Sequence, residues 1–148
     1  MVISNGHGED LIALRVLEAI HRRSPSLPLE VLPLVGRGDA FKAAVKQGWV
    51  TRIGPEAPLP SGGFSNQSLS GLISDIKAGL AILSWRQWRL VHRQARRGRA
   101  MVAVGDLLPL LMVWSSGAPF GFLGTPKSDY SWRSGPGRNL SDRYHRLK

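Results

Sequence analysis

Short apolar runs alternate with segments of helical spacing along this chain. The first run, residues 1–4, predicts a buried strand, and a helix is expected over about 9–23, where Leu14, Leu17 and Ile20 share one face. The same pattern predicts strands over 29–35, 49–53, 101–104 and 120–123, and helices over 39–47, 67–97 and 107–116. Strands that alternate with helices predict an α/β fold, a Rossmann-like doubly wound parallel sheet.

The longest predicted helix, 67–97, is strongly amphipathic. Leucines and isoleucines form its apolar face, and the opposite side carries the arginines Arg86, Arg89, Arg93 and Arg96. Such a basic side of a helix usually faces solvent. Attachment to an anionic membrane surface, with Trp85 near the interface, is the sharper alternative. Nucleic-acid binding is disfavoured because no pattern of a nucleic-acid-binding fold accompanies the arginines.

Composition adds a charge asymmetry to this picture. The 148 residues carry a net charge of +10, and residues 85–148 contribute twelve Lys/Arg against three Asp/Glu. A basic half attracts nucleic acid, acidic lipid head groups or a phosphorylated substrate. The chain has no cysteine and nothing that reads as a signal peptide. We expect a cytoplasmic protein, peripheral to the inner face of the plasma membrane.

Three loops are predicted to leave strands at the edge where such sheets bind ligands. The first, residues 5–9, holds Asn5 and the glycines Gly6 and Gly8, which would let backbone approach a ligand closely. His7, between the two glycines, could serve as a general base or donate a hydrogen bond to a sugar or phosphate. A tight strand-to-helix turn, with acids suitably placed in the first helical turn, is the alternative explanation.

The other two loops hold further candidate groups. Asp106 could cap the helix that follows it, accept a proton from a hydroxyl nucleophile, or do both. The third loop, residues 124–133, mixes hydroxyls, a carboxylate, cations and aromatic rings, which are groups that bind sugars. Its candidate substrate-binding residues are Thr125, Lys127, Ser128, Asp129, Tyr130, Trp132 and Arg133. A long loop of this composition favours a functional role.

Several site classes are disfavoured by the sequence. Without cysteine and with four scattered histidines, we expect no metal site, and no Asp-x-Asp pair is present to hold a sugar nucleotide through a metal. No Gly-x-Ser-x-Gly nucleophile motif occurs. The first loop is also not a dinucleotide fingerprint, because Leu11 stands at the position of the third glycine.

Four motifs in order resemble those of one known family: residues 4–10 (SNGHGED), 60–65 (PSGGFS), 102–106 (VAVGD) and 124–130 (GTPKSDY). They are similar to the lipid-A-disaccharide synthase-related proteins, which are GT-B glycosyltransferase-like, and the resemblance runs through nearly the whole chain. In the true synthases the first loop has an acidic residue that Asp10 matches, so the resemblance makes Asp10 a candidate substrate-binding residue. The synthases also have an acidic loop that is similar to the one around Asp106.

The resemblance implies an acceptor-side, N-terminal Rossmann-like domain of a GT-B fold over residues 1–148, C-terminally incomplete, with the donor-binding domain absent. Such an enzyme moves a sugar from a nucleotide-diphosphate sugar to a lipid-linked or phosphorylated acceptor, without metal or cofactor. The expected partner is a sugar or glycolipid acceptor, with Asp106 or His7 as the base. We expect this part alone to be inactive. The alternative is a non-catalytic, membrane-associated module that binds phosphate or lipid.

Overall fold

The computed structural model describes residues 1–55 and 80–125. Five strands form one parallel sheet in the order β3-β2-β1-β4-β5. The strands are β1 (Val2–Ser4), β2 (Leu29–Pro33), β3 (Val50–Arg52), β4 (Met101–Gly105) and β5 (Phe120–Gly124). Central β1 pairs with β2 on one side and with β4 on the other. The α/β class and the parallel sheet expected from the sequence are confirmed, and the arrangement is consistent with a Rossmann-like fold.

Helices connect consecutive strands. They are α1 (His7–Arg23), a short 3₁₀ helix (Asp39–Phe41), α2 (Lys42–Lys46), α3 (Leu80–Arg96) and α4 (Leu107–Ser116). The predicted 39–47 helix is thus divided into a 3₁₀ turn and one turn of α-helix. Residues 67–79 of the predicted long helix lie outside the described residues. Pro109 is accommodated in α4 because amides of the first helical turn have no intrahelical acceptor.

The helices cover both faces of the sheet, because side chains that alternate along each strand point to opposite sides. Val2, Val31 and Val104 pack with α1 residues such as Ala13 and Leu17 in one hydrophobic cluster. On the other face, Ile3, Leu32 and Ala103 pack in a second cluster with side chains of α3 and α4, namely Leu83, Leu90, Val91, Met112 and Val113. The two clusters explain why most positions of β1, β2 and β4 are apolar.

Candidate functional site

A ligand site is expected at the carboxyl ends of β1 and β4. These neighbouring strands are followed by helices on opposite faces of the sheet, α1 on one and α4 on the other. In open parallel sheets this divergence leaves a crevice where ligands bind. We call the polar residues at this edge, Asn5, Glu9, Asp106 and Thr125, the rim cluster.

The first predicted loop is shorter than expected, because α1 begins at His7. Gly6 precedes the helix with φ 149°, and the amide of Asp10 donates to the Gly6 carbonyl at 2.6 Å. Gly8 therefore lies in the first turn of a helix and not in a loop. Glu9 and Asp10 favour this early start, since carboxylates in the first turn interact well with the helix dipole. The side chain of His7 lies outside the described residues.

Asn5 and Asp106 join the two loops. The Asn5 amide nitrogen donates to Asp106 Oδ1 at 2.8 Å, across 101 residues of sequence. The Leu108 amide donates to the same oxygen at 3.2 Å, so Asp106 is the N-cap of α4. The predicted cap is therefore confirmed, and it stands beside the first loop. Because both donors hold the carboxylate, its orientation at the edge of the sheet is fixed.

Gly105 makes this close approach possible. It adopts φ 134°, and a Cβ there would stand 2.9 Å from Asn5 Cβ, 3.2 Å from Pro109 Cγ and 3.4 Å from Glu9 Cγ. The nearest of these distances is shorter than a real Cβ contact allows. A side chain at position 105 would therefore push the two loops apart.

Glu9 and Thr125 extend the rim cluster to the end of β5. The Thr125 hydroxyl donates to Glu9 Oε1 at 3.2 Å, and the Thr125 amide donates to the Gly105 carbonyl at 3.0 Å. Thr125 was among the residues expected from the sequence to bind substrate, and Glu9 was not. The signal that could have found it is its position one turn after a strand at the ligand-binding edge.

Asp10 has a different environment from Glu9. It is 2 % exposed, and its Oδ1 accepts a hydrogen bond of 2.5 Å from the Ser4 hydroxyl. This contact ties the end of β1 to the first turn of α1, which stabilises the strand-to-helix turn. A ligand contact by Asp10 stays a prediction. The residues that the fold brings to the partly exposed edge are Asn5, Glu9, Asp106 and Thr125.

The Asn5 side chain has one further acceptor. Its Oδ1 is buried and has no hydrogen-bond partner among the described residues. A buried acceptor left without a donor costs about 1–3 kcal/mol, so a donor from a ligand or from another part of the chain would relieve that cost. Exchanging the nitrogen and oxygen of the Asn5 side-chain amide would not remove this cost, because the oxygen would then face the Asp106 carboxylate.

The remaining predicted residues of the third loop are Lys127, Ser128, Asp129, Tyr130, Trp132 and Arg133, and they lie outside the described residues. Arg86, Arg89, Arg93 and Arg96 belong to α3 and are exposed. Within residues 1–55 and 80–125, no group of three or more histidines or carboxylates is placed to hold a metal ion.

The described rim cluster offers two carboxylates, an amide and a hydroxyl. Such groups can bind a hydroxyl-rich ligand by accepting and donating hydrogen bonds, and a carboxylate can remove a proton from a bound hydroxyl.

Comparison with known proteins adds no family assignment, since no family model, curated protein or solved structure matches this chain.

Proposed function

We propose that this chain is the acceptor-side domain of a metal-independent glycosyltransferase of the GT-B kind, related to the lipid-A-disaccharide synthases. The observation that carries the proposal is the Asn5–Asp106 hydrogen bond of 2.8 Å. It joins two motifs that carry the family resemblance and are distant in sequence, at adjacent strand ends where open α/β sheets bind ligands.

The proposed chemistry is a sugar transfer to an acceptor hydroxyl. Asp106, or His7 in its place, accepts the hydroxyl proton while the acceptor oxygen forms a bond to the anomeric carbon. The bond from that carbon to the diphosphate oxygen breaks, and the nucleoside diphosphate leaves with the electron pair. The nucleotide-diphosphate sugar is bound by the second domain of a GT-B fold. A general base accelerates such a step by roughly 10²–10⁴-fold.

The acceptor would lie along the rim cluster and contact residues 127–133. Asn5 and Thr125 are the uncharged hydrogen-bonding groups of the rim cluster. In this proposal Lys127 and Arg133 bind an acceptor phosphate, and Tyr130 or Trp132 packs on a sugar ring. Glu9 joins the list of candidate acceptor contacts because it shares a hydrogen bond with Thr125.

The test is a titration of the isotope-labelled chain with glucosamine 1-phosphate, followed by amide chemical shifts. We expect the amides of Asn5, Glu9, Asp106 and Thr125 to shift together, and Asp106→Asn to weaken binding by about tenfold, the loss of one charge-assisted hydrogen bond. Glu18→Gln, a carboxylate on the flank of α1 that pairs with Arg15, is the matched control and should leave the affinity unchanged. Shifts spread evenly over the chain, or equal binding by both variants, would contradict an acceptor site at the rim cluster.

The role of Asp106 as a base needs a separate measurement. In an enzyme that joins this chain to a donor domain, Asp106→Asn should lower turnover by roughly 10²–10⁴-fold. Unchanged turnover would leave Asp106 as a helix cap alone.

A further inference from the structure

Helices α3 and α4 enclose an open apolar groove on one face of the molecule. Trp85 and Trp88 line it from α3, and Leu108, Leu111, Met112 and Trp114 line it from α4, around a volume of about 390 Å³. We use the name tryptophan face for Trp85, Trp88, Leu107, Leu111 and Trp114. From the sequence, only Trp85 was expected near a membrane interface, and the other four residues were given no role.

The tryptophan face is exposed in the part of the chain that the structure describes. Trp114 is 67 % exposed, Leu107 56 %, Trp85 55 % and Leu111 46 %. None of the ten residues of α4 is charged. A helix with so little polar surface normally packs on both sides, so a large exposed apolar patch of this kind marks an interaction surface.

The tryptophan face is held in a defined shape. The Trp88 indole N–H donates to Ser115 Oγ at 3.1 Å, which links α3 to α4, and the ring of His92 lies 4.0 Å from the Trp88 ring between centroids. The Ser115 hydroxyl in turn donates to the Met112 carbonyl at 3.1 Å. These contacts hold Trp88, which is 40 % exposed, against α4, while Trp85 and Trp114 are more exposed.

Positive charge borders this apolar surface. The guanidinium carbon of Arg89 lies 4.8 Å from the centroid of the Trp85 ring, a cation–π distance. Arg96 follows Trp85 by eleven residues and so shares its side of α3, since a helix has 3.6 residues per turn. Arg86 and Arg93 lie farther round the same exposed side. Between residues 80 and 125 the sequence has six arginines and one carboxylate, Asp106.

We propose that the tryptophan face docks on an anionic lipid bilayer. Tryptophan rings favour the boundary between head groups and acyl chains, and arginines beside them contact lipid phosphates. The uncharged surface of α4 fits the acyl region, and it offers no positive charge to a nucleic-acid backbone. The charge of the arginine border selects an anionic bilayer over a neutral one. This inference is independent of the proposed sugar transfer, because vesicle binding and acceptor binding are measured separately.

The test is co-sedimentation of the full chain with vesicles of phosphatidylcholine alone or mixed with phosphatidylglycerol. We expect binding to the anionic vesicles only, weakened by salt because surface charges are screened. Arg89→Glu with Arg93→Glu should weaken it by about tenfold or more. Leu111→Gln with Trp114→Gln should weaken it by about tenfold through lost apolar contact.

Matched controls lie away from the tryptophan face. Arg22→Glu with Arg23→Glu makes the same charge change on α1, which packs on the opposite face of the sheet. Leu27→Gln replaces a leucine that is 49 % exposed in the α1–β2 connection. Both controls should retain most of the vesicle binding. Quenching of tryptophan fluorescence by brominated lipid provides a readout on the unaltered chain.

Several outcomes would overturn the inference. These are equal binding to neutral vesicles, no quenching, or equal losses in the test and control variants. Self-association that Leu111→Gln with Trp114→Gln abolishes, in the absence of vesicle binding, would assign the face to a second copy of the chain. A large loss of thermal stability in that variant, with vesicle binding intact, would show that the chain covers the face itself. Binding of RNA in place of vesicles, with the same arginine dependence, would make it a nucleic-acid surface.

Discussion

At the scale of single residues, Asp106 combines two roles that can be separated by substitution. Its carboxylate caps α4 through the Leu108 amide and receives the Asn5 amide. Asparagine is as good an N-cap as aspartate and can accept the same hydrogen bonds, whereas alanine can do neither.

We therefore expect Asp106→Ala to lower the free energy of unfolding by about 1–2 kcal/mol, and Asp106→Asn by less than about 0.5 kcal/mol. Urea denaturation of both variants checks this. Equal losses would mean that the negative charge itself, and not the hydrogen-bonding geometry, stabilises the α4 terminus. Asp106→Asn then becomes the variant for functional work, since it removes the proposed base and keeps the fold.

Residue identity alone did not predict how the two adjacent acids of the first motif divide their roles. Glu9 and Asp10 are neighbours in sequence, but Asp10 is buried against Ser4 and Glu9 faces Thr125. The difference follows from the rotation of the first helical turn, which depends on where α1 begins. That start, directly after Gly6 with its φ of 149°, is earlier than the periodicity of apolar residues indicated.

At the scale of elements, the connection between β4 and α4 depends on Gly105. Gly105→Ala places a methyl group 2.9 Å from Asn5 Cβ at a φ that side chains rarely adopt. We expect it to lower the free energy of unfolding by about 1–3 kcal/mol.

Gly121→Ala in β5 is the matched control, because no atom lies within 4 Å of the added methyl group. It should change the stability by less than about 0.5 kcal/mol, as most exposed substitutions do. Thermal melting of the two variants measures the difference. Equal melting temperatures would show that the β4–α4 turn relaxes without strain.

Element prediction was most accurate where capping and periodicity agreed. The predicted helix 107–116 matches α4 because Asp106 gives a start signal and Gly117 a left-handed stop. The exposed side of that helix was not recognised from the sequence. Leu111 and Trp114 fit a buried helix equally well, and only the packing of α3 against α4 shows which side chains remain uncovered.

At the scale of the whole molecule, the α/β class and the parallel sheet follow from the alternation of apolar runs and helical segments. The strand order does not follow from that pattern. Pairing of β1 with β4 requires Val2, Ile3 and Ser4 to align with Val102, Ala103 and Val104, and this register depends on long-range packing. The contact of Asn5 with Asp106 is a consequence of that register, so the rim cluster was predicted only as three loops at one edge.

The start of the chain is also part of the sheet and makes stability depend on pH. The Met1 amino group donates to the Ala100 carbonyl at 2.9 Å, and burial, with a smaller effect of Arg99, lowers its pKa below the usual 8.0 despite the opposing charge of Glu30. The unfolded chain then binds a proton that the folded chain does not, in the window between the lowered pKa and 8.0. Stability should therefore rise with pH through that window.

Urea denaturation at a series of pH values checks this for the chain with a free Met1 amino group. An acetylated amino terminus is the control, because it has no titrating group there and should lose this part of the slope. An identical pH dependence of both forms would assign the slope to histidines or carboxylates elsewhere.

The Asn5–Asp106 and Glu9–Thr125 hydrogen bonds span 101 and 116 residues of chain. A fragment of the chain that ends before β4 cannot form the rim cluster, even where β1, β2 and β3 associate by themselves. Loop closure over such separations is slow compared with helix formation. During refolding, signals from secondary structure should therefore recover before the proposed affinity for a carbohydrate acceptor returns.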